Sequence, residues 1–406
     1  MVARKRHEGV EHIRILHLIT MFSLGGATEN TLLSVEGLHA LGYDVRIATG
    51  PNISSEGSLF DRADRSGIPV EVIPELLRSI HPYYDLVAFF KILGVLRKGK
   101  YDIVHTHSSK AGLLGRIAAK LTRVPIIIHT VHGLPFHDYQ GKVMHRIFVI
   151  AEKIGAMVSD KIITVTHTIS QKALAAGVGR PEQFVTVRSG FEMDQFIGHH
   201  NNTRALRREL GLKTQDTVVG TIARFSALKG HQYILDVVPE VVRRVPNTKF
   251  LFVGSGELEE HFKKQVEESN LQDRVLFAGL VAQERIGSFI AIMDVVVHTS
   301  LLEGLARVLP QALAGKKPVV CFDIDGAHEV VKDGLSGHLV PPRQLTELAN
   351  AIVDLLTNKR KARLFGSNGQ AIVRKDWTQE AMVDGIDVVY RELLAAKGIL
   401  SSNKQF

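Results

Sequence analysis

Short runs of β-branched and aliphatic residues alternate with helix-length amphipathic segments along almost the whole chain, and this alternation limits the fold more than any other feature. Seven such runs, beginning with IRILHLI, lie in the first half, and six, ending with GHLVPP, lie in the second. They are nearly continuously apolar, as expected for strands buried on both faces. Strand, helix and strand in succession predict parallel sheets with right-handed crossovers. The pattern therefore predicts an α/β protein with doubly wound sheets.

The length of 406 residues exceeds what a single hydrophobic core usually holds, so we predict two domains. The strand pattern breaks at FEMDQFIGHHNNTRALRREL, where GHHNNT is polar and turn-rich. We place the boundary there, with a first domain over residues 1–196 and a second over residues 197–379. Ligands of such sheets bind beyond the carboxyl ends of the strands, and we expect the site in the cleft between the two domains.

Composition places the chain among globular proteins, with 45% hydrophobic and 23% charged residues. Cys321 is the single cysteine, so an intrachain disulfide is excluded, which is typical of the cytoplasm. The N-terminus has basic residues but no apolar signal-peptide core, and no apolar run has the length of about 18 residues that a membrane span needs. We therefore expect a cytoplasmic protein.

The net charge of +8 is spread along the chain. It would suit a phosphate-bearing ligand or an anionic membrane surface. Nucleic acid is disfavoured, because the sequence has no zinc-finger spacing and no RNA-binding aromatic motif. A basic protein without an anionic partner remains an alternative.

Two glycines, Gly25 and Gly26, separate the first predicted strand from the first helix. Glycine lets a backbone approach an anion, and a helix N-terminus favours negative charge. The spacing is not G-x-G-x-x-G, which argues against a dinucleotide site. An ordinary tight turn explains these glycines equally well.

Two cations, Arg224 and Lys229, flank the strand-to-helix turn of GTIARFSALKGHQYILD. Such a pair could clamp a diphosphate, with arginine as a fork of donors and lysine as a point charge. Solvated loop cations are the alternative. A neighbouring turn places Gly254 at a strand end, where it could line a nucleotide or only permit the turn.

The segment EGLARVLPQALAGKKPVV carries an acid ahead of a predicted helix. We predict that this helix begins near Ala306, has Pro310 in its first turn and ends with Gly315 as the C′ residue. The N–H groups of residues 305–308 would then point at a phosphate. Glu303 could bind sugar hydroxyls or only cap the helix.

Histidine is frequent, with 19 residues. His129, His132 and His137 lie close together in the sequence, and His105 and His107 share one strand face. Their spacing matches no known set of zinc ligands, so a metal site is disfavoured. His132, followed by a glycine at a strand end, is better placed as a polar contact, and the other histidines are expected to be buried and hydrogen-bonded or on the surface.

Taken in order and spacing, the motifs GGATENTLLSVEGL, HTVHGLPFH, ARFSALKGHQYILD, FLFVGSGELEE and HTSLLEGLARVLPQALAGKKPVV resemble those of the retaining GT-B glycosyltransferases of family 4 (glycosyl transferases group 1), which use nucleotide sugars. The resemblance covers nearly the whole chain. It implies two Rossmann-like domains facing each other across a cleft. Residues 1–196 would form the acceptor side, residues 197–379 would bind the donor, and a helix within 380–406 would cross back to the first domain.

The resemblance also implies roles for individual residues. The positions matching residues with a catalytic role are Glu303, His132, Lys229 and Arg224. Arg224 and Lys229 would hold the diphosphate, Glu303 would contact the transferred sugar, and His132 would lie beside it. The further substrate-binding positions are Gly25, Gly26, Gly254, Leu280, Val281, Leu305, Ala306, Arg307 and Gln311.

Three residues depart from the family pattern, and one of them, Ser189, stands where many members carry asparagine. Gln311 stands where a second glutamate usually binds the donor ribose, and we expect weaker or altered donor binding there. The loss of a buried charged hydrogen bond typically costs about 1.5–3 kcal/mol. Arg307 stands where an apolar residue is common, and its added cation would partly offset that loss.

The implied activity is transfer of a sugar from a nucleotide-diphosphate sugar to an acceptor hydroxyl, with retention and without a metal cofactor. The implied acceptor is a lipid-linked glycan or a growing surface polysaccharide. The helix DLVAFFKILGVLRKGK could dock on an anionic membrane at the cytoplasmic face, although core packing is the favoured interpretation. A catalytically inactive binder of nucleotide sugars and a nicotinamide-dependent dehydrogenase are the competing functions. The oligomeric state stays open.

Overall fold

A computed structural model describes residues 9–51, 58–198 and 203–400. It divides the chain into two compact units, one formed by Met1–Gly190 with Gln379–Phe406 and the other by Phe191–Thr378. The division lies six residues before the sequence-based boundary, because Phe191 and Phe196 pack into the core of the second unit. Most of the turn-rich segment GHHNNT and the basic N-terminal residues 1–8 lie outside the described residues.

The first unit contains a seven-stranded sheet in the order β3-β2-β1-β4-β5-β6-β7. Every pairing in it is parallel. The strands are β1 (Arg14–Ile19), β2 (Asp44–Thr49), β3 (Val70–Val72), β4 (Ile103–His107), β5 (Ile126–Val131), β6 (Lys161–Thr164) and β7 (Phe184–Thr186).

Helices cover both faces of this sheet. They are α1 (Gly26–Leu41), α2 (Phe60–Arg65), α3 (Pro82–Gly99), α4 (Ser109–Leu121), α5 (Lys142–Met157), α6 (His167–Ala175) and the last helix of the chain, α15 (Gln379–Ala396). Successive residues of a strand point to opposite faces of the sheet. Ile15 packs with α1 and α15 on one face, and Leu16 packs with α3 and α4 on the other. The chain's last helix therefore belongs to the unit that contains its first strand.

The second unit contains a six-stranded parallel sheet in the order β10-β9-β8-β11-β12-β13. The strands are β8 (Thr217–Ile222), β9 (Thr248–Val253), β10 (Val275–Phe277), β11 (Val295–His298), β12 (Val319–Phe322) and β13 (Gly337–Val340). The helices are α7 (Thr203–Glu209), α8 (His231–Arg244), α9 (Glu259–Glu268), α10 (Gln283–Ile292), α11 (Val308–Ala314), α12 (Ala327–Val330), α13 (Leu345–Thr357) and α14 (Lys359–Asp376).

Each of the thirteen strands falls on one of the runs that the sequence identified, with β8 and β9 beginning one residue before theirs, so the prediction of doubly wound parallel sheets is confirmed. The predicted helix start near Ala306 is wrong by two residues, since α11 begins at Val308. Its predicted C′ glycine is also wrong, because Gly315 has φ −77° and Lys316 adopts the left-handed conformation at φ 55°. Gly315 is instead close to its neighbours: a Cβ there would lie 3.1 Å from Ile290 Cγ2. In the part of the chain that the structure describes, no helix combines the length and apolarity that crossing a bilayer requires.

A buried ion pair joins α4 to α5. Arg116 Nη2 lies 2.9 Å from Glu152 Oε2, and the arginine side chain is 0% exposed. The Arg116 Nε–H donates to Gly112 O at 2.8 Å. A Cβ at Gly155 would lie 2.3 Å from the guanidinium carbon, so α5 approaches Arg116 through a glycine.

We expect Glu152→Ala to lower the free energy of unfolding by about 3–5 kcal/mol, because it leaves a guanidinium buried without its counterion. Urea denaturation measures the change. The control is Glu182→Ala, which removes an ion pair to Arg180 whose two side chains are 71% and 68% exposed. That pair should contribute no more than about 1 kcal/mol. Equal effects of the two substitutions would contradict the role assigned to the buried pair.

Candidate functional site

The carboxyl ends of the strands in the second unit lie at one edge of its sheet, because all pairings there are parallel. Three connecting segments leave this edge beside one another: residues 223–230 after β8, residues 254–258 after β9 and residues 299–307 after β11. Most of the predicted donor-site residues lie in these segments. The sheet therefore gathers residues that are far apart in the sequence.

Backbone hydrogen bonds join these segments. Gly254 N donates to Gly279 O at 2.9 Å, and Phe225 N donates to Ser255 O at 3.0 Å. Leu301 N donates to Leu228 O at 2.8 Å. The loops therefore form one hydrogen-bonded layer over the strand ends.

Two glycines permit the close approach of these loops. A Cβ at Gly230 would lie 2.0 Å from Thr299 O, and its φ is 70°. A Cβ at Gly254 would lie 2.2 Å from Ala223 O. Both positions therefore exclude a side chain for reasons of backbone packing. At Gly254 this accounts for the glycine whether or not a nucleotide is bound.

Glu303 is the centre of the polar contacts in this layer. Its Oε1 lies 2.5 Å from Lys229 Nζ and 3.0 Å from His298 Nε2, and it accepts a hydrogen bond of 2.7 Å from Ser300 Oγ. The Glu303 backbone N–H donates to Asp325 Oδ2 at 2.7 Å. The structure thus joins two predicted site residues, Lys229 and Glu303, in an ion pair.

All three side-chain contacts of Glu303 are made by Oε1, so its second carboxylate oxygen, Oε2, has different surroundings. Among the described residues, no hydrogen bond to Glu303 Oε2 is seen, and the side chain is 14% exposed. Oε1 is thus held by protein donors, and Oε2 is the oxygen that could accept a hydrogen bond from a ligand hydroxyl.

The protonation state of Glu303 follows from these contacts. Burial by itself would raise the pKa of the carboxyl group, but the charge of Lys229 and the hydrogen bond from His298 outweigh it and lower the pKa from 4.5 to about 2. Glu303 is therefore a carboxylate at neutral pH. Nearby, burial lowers the pKa of His231 to about 4, with a contribution from the charges of His298 and Lys229, so His231 is neutral.

Sequence reasoning missed three residues of this site: His298, Ser300 and Asp325. The first two lie in the predicted strand DVVVHTS, directly after its apolar run. Polar side chains at the carboxyl end of a buried parallel strand were the available signal. Asp325 follows β12, the next strand in the sheet, and its contact with Glu303 is set by that neighbourhood alone.

The remaining predicted donor-site residues have different surroundings. Arg224 is exposed at the end of β8, and Leu280 is 55% exposed. The side chains of Val281, Leu305 and Ala306 pack against the core of the second unit. Only the backbone at Leu305 and Ala306 could therefore serve a ligand. Arg307 is the N-cap residue of α11, and Gln311 lies half-buried in that helix.

Three predicted residues belong to the first unit. Gly25 and Gly26 follow β1, and the Thr28 hydroxyl donates to the carbonyls of Ser23 and Gly25, which fixes this loop. His132 follows β5, and its Nε2 lies 3.1 Å from His107 Nδ1.

Three histidines behind His132 are the group of possible metal ligands found among the described residues. One ring nitrogen from each of His17, His105 and His107 lies within 4.8 Å of the others, and all three residues are buried. However, both nitrogens of each ring already contact a polar group of the protein. A metal ion would have to displace these contacts, so the cluster fits a hydrogen-bonded core better than a metal centre.

Comparison with known families matches both halves of the chain. Residues 202–372 match the model described as glycosyl transferases group 1, and residues 25–190 match the glycosyl transferase 4-like domain. The first match contains Glu303 and the side chains that contact it, and the second contains Gly25 and Gly26.

Two relatives match over nearly their whole lengths. The UDP-Gal:alpha-D-GlcNAc-diphosphoundecaprenol alpha-1,3-galactosyltransferase of Escherichia coli is 27% identical over 388 residues, which are 95% of this chain and 98% of that protein. The capsular polysaccharide biosynthesis glycosyltransferase CapM of Staphylococcus aureus is 24% identical and covers 94% and 97% of the two chains.

Among solved structures, Anabaena Alr3699/HepE in complex with UDP-glucose superposes with a TM-score of 0.80 at 25% identity. The match covers 94% of this chain and 100% of that one. The sucrose-phosphate synthase of Thermosynechococcus elongatus has the same fold, with a TM-score of 0.80 at 22% identity over 95% of this chain and 100% of that one.

Because the pKa of Glu303 is lower in the folded protein than in the unfolded chain, this residue makes the free energy of unfolding depend on pH. The difference between 4.5 and about 2 corresponds to about 3 kcal/mol. This contribution is complete above pH 4.5 and is lost as the pH falls through about 2. We expect Glu303→Gln to be less stable than the unchanged protein at pH 7, and the difference to shrink between these pH values. Urea denaturation across that range measures it.

The control for this titration is Glu260→Gln, whose carboxylate lies on α9 with 86% of its side chain exposed. Its stability should follow that of the unchanged protein at every pH. A difference for Glu303→Gln that stays constant from pH 7 to pH 2 would contradict the carboxylate contacts described above.

Proposed function

The chain is a GT-B glycosyltransferase of the glycosyl transferases group 1 family, and on that premise we propose that it transfers a sugar from a UDP-sugar to an acceptor hydroxyl with retention at the anomeric carbon. The observation that carries the proposal is the Lys229–Glu303 pair at the carboxyl edge of the six-stranded sheet. The UDP-glucose complex of the Anabaena protein supports UDP as the nucleotide.

In this proposal Lys229 and Arg224 bind the donor diphosphate. Lys229 forms its ion pair with Glu303 through one N–H and has two more to donate to phosphate oxygens. As the sugar departs, negative charge develops on the leaving diphosphate, and fixed cations at that point lower the barrier. The backbone of Leu305–Arg307 is assigned to the same phosphates. These protein groups supply the positive charge, so the proposal requires no metal ion.

Glu303 is assigned to the transferred sugar. Its low pKa makes it unsuitable as a general acid, and the three donors at Oε1 weaken it as a nucleophile. The remaining chemistry for this carboxylate is to accept hydrogen bonds from sugar hydroxyls through Oε2. No second carboxylate is assigned to the reaction, so we do not propose a double displacement.

The other predicted residues complete the donor and acceptor sites. Gln311 is assigned to the ribose, where its amide can donate and accept hydrogen bonds but brings no charge. Leu280 and Val281 are assigned to the base, with Gly254 beside them. In the first unit, His132 is assigned to the sugar or the acceptor hydroxyl, and Gly25 and Gly26 are assigned to the loop that faces both substrates.

The proposed acceptor is a lipid-linked or surface glycan. The Escherichia coli relative acts, by its name, on a diphosphoundecaprenol-linked sugar, and a 24% identical relative from Acholeplasma laidlawii is an alpha-monoglucosyldiacylglycerol synthase. Such acceptors have their lipid part in a bilayer. The proposal therefore places the protein in the cytoplasm, at the cytoplasmic face of the membrane.

We expect Lys229→Ala and Glu303→Ala each to lower kcat about 10²–10³-fold, as is typical when one preorganised transition-state contact is removed. A screen of UDP-, GDP- and ADP-sugars by thermal shift first identifies the donor, and release of its nucleotide diphosphate in the presence of lipid-linked and polysaccharide acceptors then gives the rates. The control is Lys263→Ala, which removes ion pairs to Glu259 and Glu260 on α9 of the same unit and should leave kcat unchanged.

Full activity of both site variants would contradict this assignment. Saturable donor binding by the unchanged protein without any turnover would instead favour the inactive binder that Gln311 suggests.

A further inference from the structure

Helix α5 carries an apolar stripe on its exposed side. Five residues spaced alternately four and three apart lie on one face and are 39–77% exposed: Val143, Ile147, Ile150, Ile154 and Met157. Residues at this spacing share one side of a helix. Such a stripe normally packs into a core, so its exposure indicates a surface that another partner covers.

The orientation of the helix is fixed by its opposite side. Glu152, Gly155 and Ala156 are buried, and the Arg116–Glu152 ion pair holds that side against α4. Turning the stripe inward would expose Glu152 and bury the flanking cations. The stripe is thus a stable feature of the first unit.

The charges around the stripe have one sign. The exposed charged residues of α5 are Lys142, Arg146 and Lys153, whereas its acid, Glu152, is buried. An apolar face whose own helix exposes cations and no acid suits an anionic lipid surface. A second copy of the chain on this face would bring like charges together.

Helix α3 also exposes apolar side chains, and α4 packs against both α3 and α5. Helix α3 buries Ala88 and Ile92 but exposes Leu86 at 56% and Phe90 at 62%. The interpretation of this helix as core alone is therefore incomplete, because the helix packs inward and also presents large apolar side chains to the outside.

The stripe is also connected to His132. The segment after His132 packs on the first turn of α5: the Phe136 and His145 rings lie 5.6 Å apart, and His145 Nδ1 lies 3.3 Å from His137 O. A lipid bound along α5 would therefore lie at the end of the loop that starts at His132.

We propose that the stripe of α5, bordered by Lys142, Arg146 and Lys153, docks the protein on an anionic bilayer and so presents the lipid-linked acceptor to the first unit. The docking itself does not depend on the proposed function, whereas the presentation of the acceptor does.

Sedimentation with vesicles tests the docking. The full chain should bind vesicles of phosphatidylcholine with phosphatidylglycerol more tightly than vesicles of phosphatidylcholine alone, and salt should weaken this binding. Ile147→Glu/Ile150→Glu should reduce the partition coefficient at least about tenfold, since it places charges in the apolar face. The matched control is Leu364→Glu, a substitution of a 57% exposed leucine on α14 of the second unit, which should bind as the unchanged protein does.

Equal binding of the double variant and the unchanged protein would overturn the docking. The docking would also be overturned if light scattering showed a dimer of the unchanged protein and a monomer of the double variant. A second copy of the chain, and not a bilayer, would then cover the stripe. Transfer to a short, water-soluble acceptor separates the two proposals: the double variant should retain it, and loss of transfer by both proteins would point to a failure of the proposed function.

A second observation, independent of the surface, is a line of hydrogen-bonded side chains behind His132. The Tyr390 hydroxyl lies 3.2 Å from His17 Nε2, and His17 Nδ1 lies 2.9 Å from His107 Nε2. His107 Nδ1 in turn lies 3.1 Å from His132 Nε2. The line runs from α15 across β1 and the end of β4 to the residue after β5.

The buried rings in this line are neutral. Burial lowers the pKa of His17 to about 3 and that of His107 well below its ordinary value. A neutral imidazole has one N–H donor and one acceptor nitrogen. Because each ring contacts a partner through both nitrogens, the direction of one hydrogen bond fixes the direction of the next.

The hydrogen bonds of this line can point in either of two consistent sets of directions. If the Tyr390 hydroxyl donates to His17, each ring passes a donor outward, and a neutral His132 then carries its proton on Nδ1. If the hydroxyl donates to His105 Nδ1, which lies 2.6 Å away, His105 Nε2–H donates to Thr130 Oγ1 and the line reverses. His132 Nδ1 is then the acceptor.

We infer that His17, His107 and Tyr390 are positioning residues that set which nitrogen of His132 carries the proton. Their bearing on catalysis rests on the proposed role of His132 beside the sugar and the acceptor hydroxyl.

The test compares Tyr390→Phe with Tyr43→Phe. The Tyr43 hydroxyl is also buried and donates to Asp387 at 2.6 Å, but it lies outside the line. Tyr390→Phe loses the contacts of the hydroxyl with His17 and His105, and Tyr43→Phe loses the contact with Asp387, so both should lower Tm. Only Tyr390→Phe should change the ¹⁵N chemical shifts that report the tautomers of His107 and His132, and only it should lower kcat several-fold without changing the KM for the donor.

Unchanged shifts of both histidines in Tyr390→Phe would overturn the coupling. So would equal changes in Tyr43→Phe. A change of shifts with an unchanged kcat would support the coupling and contradict the role of His132 in transfer, which separates the two claims.

Discussion

Parallel pairing of every strand is the constraint on which the rest of this molecule depends. It sends each strand of a sheet in the same direction, so all carboxyl ends meet at one edge, and the polar residues that follow the strands meet there too. Lys229 and Glu303 are 74 residues apart in the sequence, yet their side chains form an ion pair of 2.5 Å. Most strand residues are apolar and buried in the cores of the two units, so the sheets hold the loops in place.

The two units use this edge for different chemistry. In the second unit it holds charge: a carboxylate kept ionised by Lys229 and His298, in a layer of loops that Gly230 and Gly254 allow to approach closely. In the first unit the corresponding edge holds neutral imidazoles, because burial there is complete and the neighbouring groups are other histidines and Tyr390. A charged edge suits binding of a diphosphate, and a neutral hydrogen-bonded edge suits control of a proton's position.

The outer surface of the first unit follows from the same packing. Arg116 and Glu152 neutralise one another inside, which fixes α5 and leaves its apolar stripe outside. A helix amphipathic in the usual sense hides its apolar face, whereas α5 hides a charged pair and small residues. The same unit thus combines an apolar, cationic surface with the segment that carries His132.

The sequence by itself determined the two sheets and the segments that carry the proposed donor site, because apolar periodicity and the glycines and prolines at turns are local properties of the chain. The strands, the loops around Arg224, Lys229 and Glu303, and the position of Gln311 on a helix could all be read in this way. Only the tertiary structure decided which side chains meet. His298, Ser300 and Asp325 surround Glu303 because their strands are neighbours in the sheet. The line from Tyr390 to His132 exists because the last helix of the chain packs in the first unit. Helix periodicity identified apolar faces, but it could not say that the face of α5 lies outside, since that depends on the partner of Glu152 and not on the helix itself.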